Sequence, residues 1–443
     1  MWTRWVGAVV MILAVLILGY GVEQSSFSRI SAAFALFFFV YSWVAYSAKP
    51  ADLRFWLVVA ILLRVCLIGA FPALSDDIYR FVWDGRLWLA GGNPFDQLPS
   101  YYLEEGQQLP GLTAALFNEL NSPDYYTIYP PVAQALFALS TILFPESVAG
   151  SAVVMQLFLL ATEIGSIFLI MALLRHWSMP AERVLWYALN PLIIVEVVGN
   201  LHFEGAMIFF LLLGLWLLLQ WQAKGGNLFF AGSATAMALA VSSKLLPLLF
   251  FPFLLRRLGW WRSVRYFALV GGVLVLSWLP LYSSTFVENF GSSVNLYFRR
   301  FEFNGSLYYL IRWLGYQFSG FNLIRFIGPS LAVFVFLAIM TYSFREKISE
   351  KWSEVPMRWL LAISIYLFCA TTVHPWYTAL PIVLCLFTNY RWPIVWSGLI
   401  TLTYINYSYG EYYENLWIVA LEYSLLAVYM IWEWRRQRQI TAA

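Results

Sequence analysis

The chain has 443 residues, of which 61% are hydrophobic and only 12% are charged, and its mean hydropathy is +0.70. Soluble domains carry about 25% charged residues, so this composition excludes a protein with a mainly water-exposed surface. The formal net charge of +3 gives no indication of nucleic acid, and we expect no such partner.

Apolar runs of about 17–25 residues, each long enough to cross a bilayer as a helix, recur along the whole chain. The first follows Arg4 without a convincing cleavage site, so we interpret it as a retained signal anchor. A shorter apolar stretch at 130–145 is predicted to be a helix on the outer surface. We predict an all-α polytopic membrane protein of about fourteen spans, at 5–22, 30–47, 55–73, 150–174, 184–199, 204–221, 228–244, 245–256, 264–282, 322–343, 357–373, 376–389, 392–408 and 416–433.

The basic residues indicate how the chain crosses the membrane. With the N-terminus inside, 18 of the 27 Lys and Arg residues fall at cytoplasmic ends and loops, as the positive-inside rule requires. Both termini are then cytoplasmic, and the two long loops, 74–149 and 283–321, are external. We therefore predict one domain, 1–443, with its chemistry in a cleft formed by these two loops.

The most informative motif opens the first long loop, directly after the third predicted span. Residues 78–90 have the pattern of an amphipathic helix that ends at a Gly-Gly and Asn-Pro sequence. Asp77, Arg80 and Asp84 share one face of it, and such a helix would lie in the membrane interface. A simpler interpretation is that Asp76 caps the helix and Asp77 is a first-turn acid favoured by the helix dipole.

The stretch from Asp77 to Pro94 resembles the GT-C superfamily of membrane glycosyltransferases, and especially mannosyltransferases that use polyprenol-phosphate mannose. The resemblance extends to the bacterial α-mannosyltransferases and the first GPI mannosyltransferase. It implies a GT-C-like fold with interfacial helices in the first external loop. Where related bacterial sequences often have His-Asn-Asp, this chain has His202-Phe-Glu204, which leaves the acceptor open. Further segments that resemble the family are Tyr129–Gln134, Asn190–Leu192, Glu196, Gly199–Glu204, Ser243–Lys244 with Pro247, and Phe303–Ser306.

The resemblance implies a polyprenyl-phosphate sugar donor and a glycan or glycolipid acceptor. Inverting transfer needs one carboxylate to take the acceptor proton as C1 is attacked. Asp77 is predicted to be this base, since its spacing to Arg80 and Pro94 matches the family, and Asp76 is the second candidate. The leaving phosphate needs cations. The candidates are Lys244, which could instead reach to the interface, and the pair Arg299 and Arg300, which could be a solvated loop pair.

The remaining candidates are polar or aromatic side chains at predicted outer span ends. Two His and two Glu among them could bind a divalent ion, but no spacing typical of metal ligands supports this, and no metal is predicted. Glu163, inside a span, is predicted to pair with another helix. Tyr407, Tyr409, Tyr412 and Tyr413 with Glu411 either stack on a sugar or form an aromatic belt. The predicted substrate-binding residues are Arg80, Asp84, Tyr129, Glu196, His202, Glu204, Lys244, Arg299, Arg300, Asn304, His374, Trp376 and Tyr377.

Two other functions fit a polytopic membrane protein. A lipid or sugar transporter or flippase would place polar residues at the bilayer midplane within repeats, whereas polarity here is concentrated at one surface. A polysaccharide polymerase or ligase would not need the Asp-Asp helix. The compact loops favour a bacterial inner membrane with the active site on the periplasmic side. The resemblance favours mannose as the sugar, although mannose, arabinose and glucose donors use similar frameworks. The linkage and the oligomeric state are left open.

Overall fold

The structure, a computed structural model, describes residues 2–345, 351–409 and 413–442. Within these ranges the secondary structure is helical, apart from an isolated parallel bridge between Phe303 and Thr372, which confirms the all-α prediction. Three residues discussed in the sequence analysis lie outside the described residues. They are Lys347, one of the 18 basic residues assigned to the cytoplasmic side, Glu411 and Tyr412.

The α-helices are α1 Trp2–Tyr20, α2 Phe27–Ser47, α3 Leu53–Val65, α4 Asp77–Leu89, α5 Ala114–Asn118, α6 Pro131–Leu143, α7 Val148–His176, α8 Leu185–Ala188, α9 Pro191–Ile193, α10 Glu204–Lys224, α11 Asn227–Ser243, α12 Phe251–Leu258, α13 Trp260–Trp278, α14 Phe286–Arg299, α15 Leu307–Ser319, α16 Ile324–Phe344, α17 Val355–Cys369, α18 Ala379–Cys385, α19 Trp392–Leu399 and α20 Leu416–Ala442.

Seven of these helices are long and apolar enough to cross a bilayer, which takes about 20 residues. They are α1, α2, α7, α10, α13, α16 and α20. Their number confirms a polytopic membrane protein. The other predicted spans fall on shorter or interrupted helices, namely α3, α8 with α9, α11, α12, α17, α18 and α19. The count of fourteen therefore stays a prediction.

Instead of one continuous helix over 184–199, the structure has a break at Asn190. Pro191 lacks an N–H and holds the preceding residue in an extended conformation, so α8 ends there. The Asn190 side chain then starts α9 by accepting hydrogen bonds from the N–H groups of Leu192 at 3.0 Å and Ile193 at 3.3 Å. The segment continues as a π-helix, Ile194–Gly199, a wide turn that is frequent at functional sites.

The amphipathic helix predicted at 78–90 is confirmed as α4, and it packs closely against α6. Gly85 permits this approach, because a Cβ at that position would lie 2.4 Å from the carbonyl oxygen of Phe137. The Phe81 and Phe137 rings stack with centroids 4.4 Å apart across the same contact. In the first long loop, α4 and α6 are therefore packed together as one unit, and the acidic residues lie at the start of α4.

The structure gathers the predicted outer span ends at one end of the molecule, here called the polar end. Lys244 pairs with Glu204 there, and Phe303 of the second long loop pairs with the segment before His374. The polar end comprises Asp76, Asp77, Glu196, His202, Glu204, Lys244, Asn304 and His374. At the other end of α17, Arg257 donates a hydrogen bond to the Lys351 carbonyl. That second end, with Arg183, Arg257, Arg358 and Arg391, is here called the arginine end.

A buried ion pair joins α3 to α7 between these two ends. Arg64 lies 2.8 Å from the Glu163 carboxylate, and neither side chain is exposed. Arg64 also donates to the Ala188 carbonyl at 2.6 Å, and the Tyr187 hydroxyl donates to Glu163 at 2.5 Å. The prediction that Glu163 pairs with another helix is confirmed.

Candidate functional site

The acidic turn Ser75–Asp77 lies at the start of α4. Asp76 occupies the position before the helix and is exposed, and Asp77 is half-buried. The Asn121 side chain donates a 2.8 Å hydrogen bond to the Asp77 carboxylate, which fixes its orientation. Although Asp76 is exposed, its carboxylate loses part of its hydration, which raises its pKa, and the charges of Asp77 and Glu119 raise it further. The turn therefore presents one oriented carboxylate and one that holds a proton more strongly than usual.

Arg80 and Asp84 lie in the wall of the site. Arg80 donates to the Asp84 carboxylate at 2.8 Å, and both side chains are buried. Arg80 also donates to the carbonyls of Ser122 at 3.0 Å and Tyr125 at 2.9 Å. The pair therefore holds the loop that carries Asn121 over the start of α4. Contact of Arg80 or Asp84 with substrate stays a prediction, and the geometry favours a positioning role.

A short chain of hydrogen bonds connects the acidic turn to the π-helix. The Leu74 N–H, two residues before Asp76, donates to the Asn200 side chain at 3.0 Å. Asn200 in turn donates to the Glu196 carboxylate at 2.9 Å. Two hydrogen bonds through Asn200 therefore tie the acidic turn to the π-helix.

Glu196 and His202 form the buried part of the site. Their carboxylate oxygen and ring Nε2 lie 3.0 Å apart, and neither atom has another partner among the described residues. The Tyr404 hydroxyl donates to the other carboxylate oxygen of Glu196. Leu201, between them in the chain, has φ +63°, a conformation that non-glycine residues rarely adopt outside functional sites. The backbone is strained where it delivers His202 to Glu196.

Glu204 and Lys244 form the adjacent ion pair. Glu204 is buried, whereas the Lys244 side chain is 28% exposed. The Lys244 ammonium also lies 4.5 Å from the centre of the Tyr377 ring, a cation–π distance. Lys244 is therefore held by Glu204 and Tyr377 while part of its side chain stays exposed.

Four rings stack in series across the polar end. His202 stacks on Trp376 with centroids 3.6 Å apart, and Trp376 stacks on His374 at 4.6 Å. Phe303 covers the other face of His374 at 4.8 Å. Burial lowers the pKa of His374 to about 3, and the charges of Lys244 and His202 lower it further. His374 is thus a neutral imidazole at physiological pH.

Asn304 holds the second long loop in place and is fully buried. Its side-chain amide donates to Glu422 of α20 at 3.1 Å, and its carbonyl accepts from the Tyr423 hydroxyl at 2.8 Å. Its N–H donates to Glu414. These contacts fix Phe303 against His374, so the structure gives Asn304 a positioning role.

The other predicted residues lie at the edges of this site. Arg299 and Arg300 are exposed at the end of α14 and have no ion-pair partner within the described residues. The Tyr129 ring packs edge-on against Phe81 at 4.9 Å. In the part of the chain that the structure describes, no three His, Cys, Asp or Glu side chains are grouped to hold a metal ion.

Three polar contributors to the site were not predicted: Asn121, Asn200 and Tyr404. Asn121 is a single amide in otherwise unremarkable sequence, and the partners of Asn121 and Asn200 are 44 and 126 residues away. Tyr404 lies in an apolar run and meets Glu196 from 208 residues away. Of the three, only Asn200 carried a sequence signal, because it belongs to the segment Gly199–Glu204.

The fold and the polar end define an integral membrane protein with a preformed polar site at one end of a helical bundle. The chain belongs to the MptA_B family, described as the N-terminal domain of α-(1→6)-mannopyranosyltransferase, which matches residues 2–259. It is also 25% identical over 145 residues to α-(1→6)-mannopyranosyltransferase B of Corynebacterium glutamicum. That alignment covers 32% of this chain and 23% of the relative.

Proposed function

We propose that this protein transfers mannose from a polyprenyl-phosphate donor to a glycan or glycolipid acceptor, with inversion, on the outer face of the membrane. The observation that carries the proposal is the connection of the acidic turn, through Asn200, to the cluster of Glu196, His202 and Lys244. The family match spans all of these residues, and the family's description names mannose as the transferred sugar. The concentration of polarity at one end favours transfer over transport.

In the proposed mechanism, the Asp77 carboxylate accepts the proton of an acceptor hydroxyl as its oxygen attacks C1 of the donor sugar. The C1–O bond to the lipid phosphate breaks as the new glycosidic bond forms, and the phosphate leaves with the electron pair. Asn121 orients Asp77 for this role. Asp76 is the second candidate for the base.

Lys244 is proposed to stabilise the leaving phosphate, with Arg299 and Arg300 approaching from the second long loop. The Lys244 side chain is 28% exposed, so an anion can approach it from solvent. His202, Trp376, Tyr377 and the neutral His374 would hold the sugar by stacking and hydrogen bonds. A direct test incubates the purified protein with polyprenyl-phosphate mannose, glucose and arabinose and measures transfer. Transport of the intact donor without transfer would refute the proposal.

Lys244→Gln is expected to lower kcat by about 10²-fold or more, because a charged donor to the leaving oxygen is lost. The single change also leaves Glu204 buried without a counter-ion. We therefore compare it with the double variant Lys244→Gln/Glu204→Gln, whose two amides can hydrogen-bond to each other. The double variant should be well folded by thermal unfolding and equally inactive. Recovery of transfer in the double variant would reduce Lys244 to a structural partner of Glu204.

The pH dependence of transfer distinguishes the two aspartates. A base must be deprotonated, so activity is lost as the pH falls through its pKa. Because the pKa of Asp76 is raised, the acid limb of kcat/KM should lie above the usual range of aspartate if Asp76 is the base. Glu119→Gln removes one contributing charge and should then move this limb to lower pH. If the acid limb of kcat/KM does not move in Glu119→Gln, Asp76 is not the base, and Asp77 keeps that role.

A further inference from the structure

An apolar groove lies at the arginine end, far from the acidic turn. It has a volume of about 280 Å³ and runs between the start of α17 and the end of α20. It is lined by Leu360 and Leu361 of α17, Met430 and Ile431 of α20, and Trp392 of α19. Leu361 and Ile431 are exposed, so the groove opens onto the outside of the helical bundle.

The groove is separate from the candidate active site. α20 contacts the polar end through Glu422, which accepts the hydrogen bond from Asn304. Met430 follows Glu422 by eight residues, or about 12 Å at 1.5 Å per helical residue. Between them the outward face of α20 is apolar, with Leu425 and Val428 exposed. Because α20 is long and apolar enough to span the bilayer, this face and the groove are expected to meet lipid chains.

Positive charge is concentrated beside the groove. Arg391 lies between two groove residues in the chain, and its guanidinium is 3.8 Å from the centre of the Trp186 ring. Arg183 lies 5.6 Å from the same ring, and both guanidiniums donate to the Thr388 carbonyl, at 3.1 and 3.0 Å. Each guanidinium also donates to a second carbonyl, that of Tyr390 for Arg391 and that of Leu386 for Arg183, so the two neighbouring cations are held by neutral acceptors.

Glu433 of α20 is close in the chain to the groove residues of that helix, but its carboxylate accepts backbone hydrogen bonds and does not pair with an arginine side chain among the described residues. The Glu433 carboxylate accepts the backbone N–H of Arg391 at 2.7 Å and of Trp392 at 3.2 Å, so it caps the start of α19. Arg435 and Arg436 follow on the exposed last turns of α20, and the Arg438 guanidinium lies 3.9 Å from the centre of the ring of Trp434, a groove residue. The groove therefore ends in an excess of arginine over carboxylate.

We propose that this groove binds one anionic phospholipid, with an acyl chain between α17 and α20 and the phosphate group on the arginines. The apolar walls suit the chain, and planar guanidiniums suit phosphate oxygens, which they can bind in pairs. Basic clusters at the membrane surface attract anionic lipids in the same way. The site is independent of the mannosyltransferase proposal, because it shares no residue with the polar end.

The test uses the full chain, purified in detergent and depleted of lipid. Phosphatidylglycerol and phosphatidylcholine with identical chains are added, and both the thermal unfolding midpoint and the lipid retained in native mass spectra are measured. Phosphatidylglycerol should raise the midpoint at about tenfold lower concentration than phosphatidylcholine and should remain bound as a single copy. Equal effects of the two lipids would overturn the proposal.

Matched variants locate the effect in the groove. Ile431→Trp fills the groove and should abolish the preference for phosphatidylglycerol, whereas Val428→Trp, on the same helix but outside the groove, should keep it. Arg438→Gln removes the guanidinium beside Trp434 and should weaken the binding of phosphatidylglycerol while leaving the binding of phosphatidylcholine unchanged. Unfolding without lipid verifies that each variant is folded. Equal loss of the preference for phosphatidylglycerol in both tryptophan variants would refute the lipid site. A lipid-free dimer that Ile431→Trp dissociates would also refute it, because the groove would then be a contact between two copies of the chain.

Discussion

Asp77→Asn is expected to reduce mannosyl transfer by about 10²–10⁴-fold, the usual contribution of a general base. The amide keeps the shape of the side chain and can still hydrogen-bond to Asn121, but it cannot accept the acceptor proton. Since Asp77 is half-buried at the first turn of α4 and has no ion-pair partner among the described residues, the fold should tolerate the change. The measurement is the initial rate of transfer from polyprenyl-phosphate mannose.

The control for this prediction is Glu105→Gln, which removes an exposed carboxylate from the same long loop. It should leave transfer and thermal unfolding unchanged. Asp76→Asn is measured alongside, because it exchanges the same group one position earlier. Full transfer in both Asp77→Asn and Asp76→Asn would show that the catalytic base does not lie in the acidic turn, and it would refute the proposed mechanism.

The sequence was sufficient to predict which segments meet at the polar end. The distribution of Arg and Lys gave each apolar run a direction, and the ends assigned to one side include His202, Lys244 and His374. The structure brings these three residues around Trp376 and Tyr377. Long-range convergence could be predicted because a membrane protein has only two surfaces at which its loops can lie.

The direction of the α4 side chains could not be predicted in the same way. Helical spacing correctly places Arg80 and Asp84 on one face, but spacing does not say what that face contacts. Gln134 of α6 donates to Asp84 at 2.8 Å, and the carbonyls of Ser122 and Tyr125 both accept from Nη1 of Arg80. These partners lie 42–50 residues away in the chain, so the burial of this helix face is visible only in the tertiary structure.

Breaks within apolar runs were also hidden from the sequence pattern. The run 184–199 is hydrophobic throughout except for Asn190 and Glu196, and hydropathy alone favours one continuous helix. The proline at 191 marks the break, but the π-helix that follows depends on the contacts of Glu196 with Asn200 and Tyr404. Local propensity is overridden here by a buried carboxylate that must be satisfied.

The largest expected effect on stability is at the buried ion pair of Arg64 and Glu163. Arg64→Met or Glu163→Gln each leaves one buried charge without its partner, so each should lower the free energy of unfolding by about 3–5 kcal/mol. The double variant Arg64→Met/Glu163→Gln buries no charge and should be more stable than either single variant. Thermal unfolding in detergent measures all three, with Arg54→Gln, an exposed arginine on the same helix, as the control. Additive losses in the double variant would show that the two residues contribute independently through their bonds to Ala188 and Tyr187, and that the charge pair itself does not hold α3 against α7.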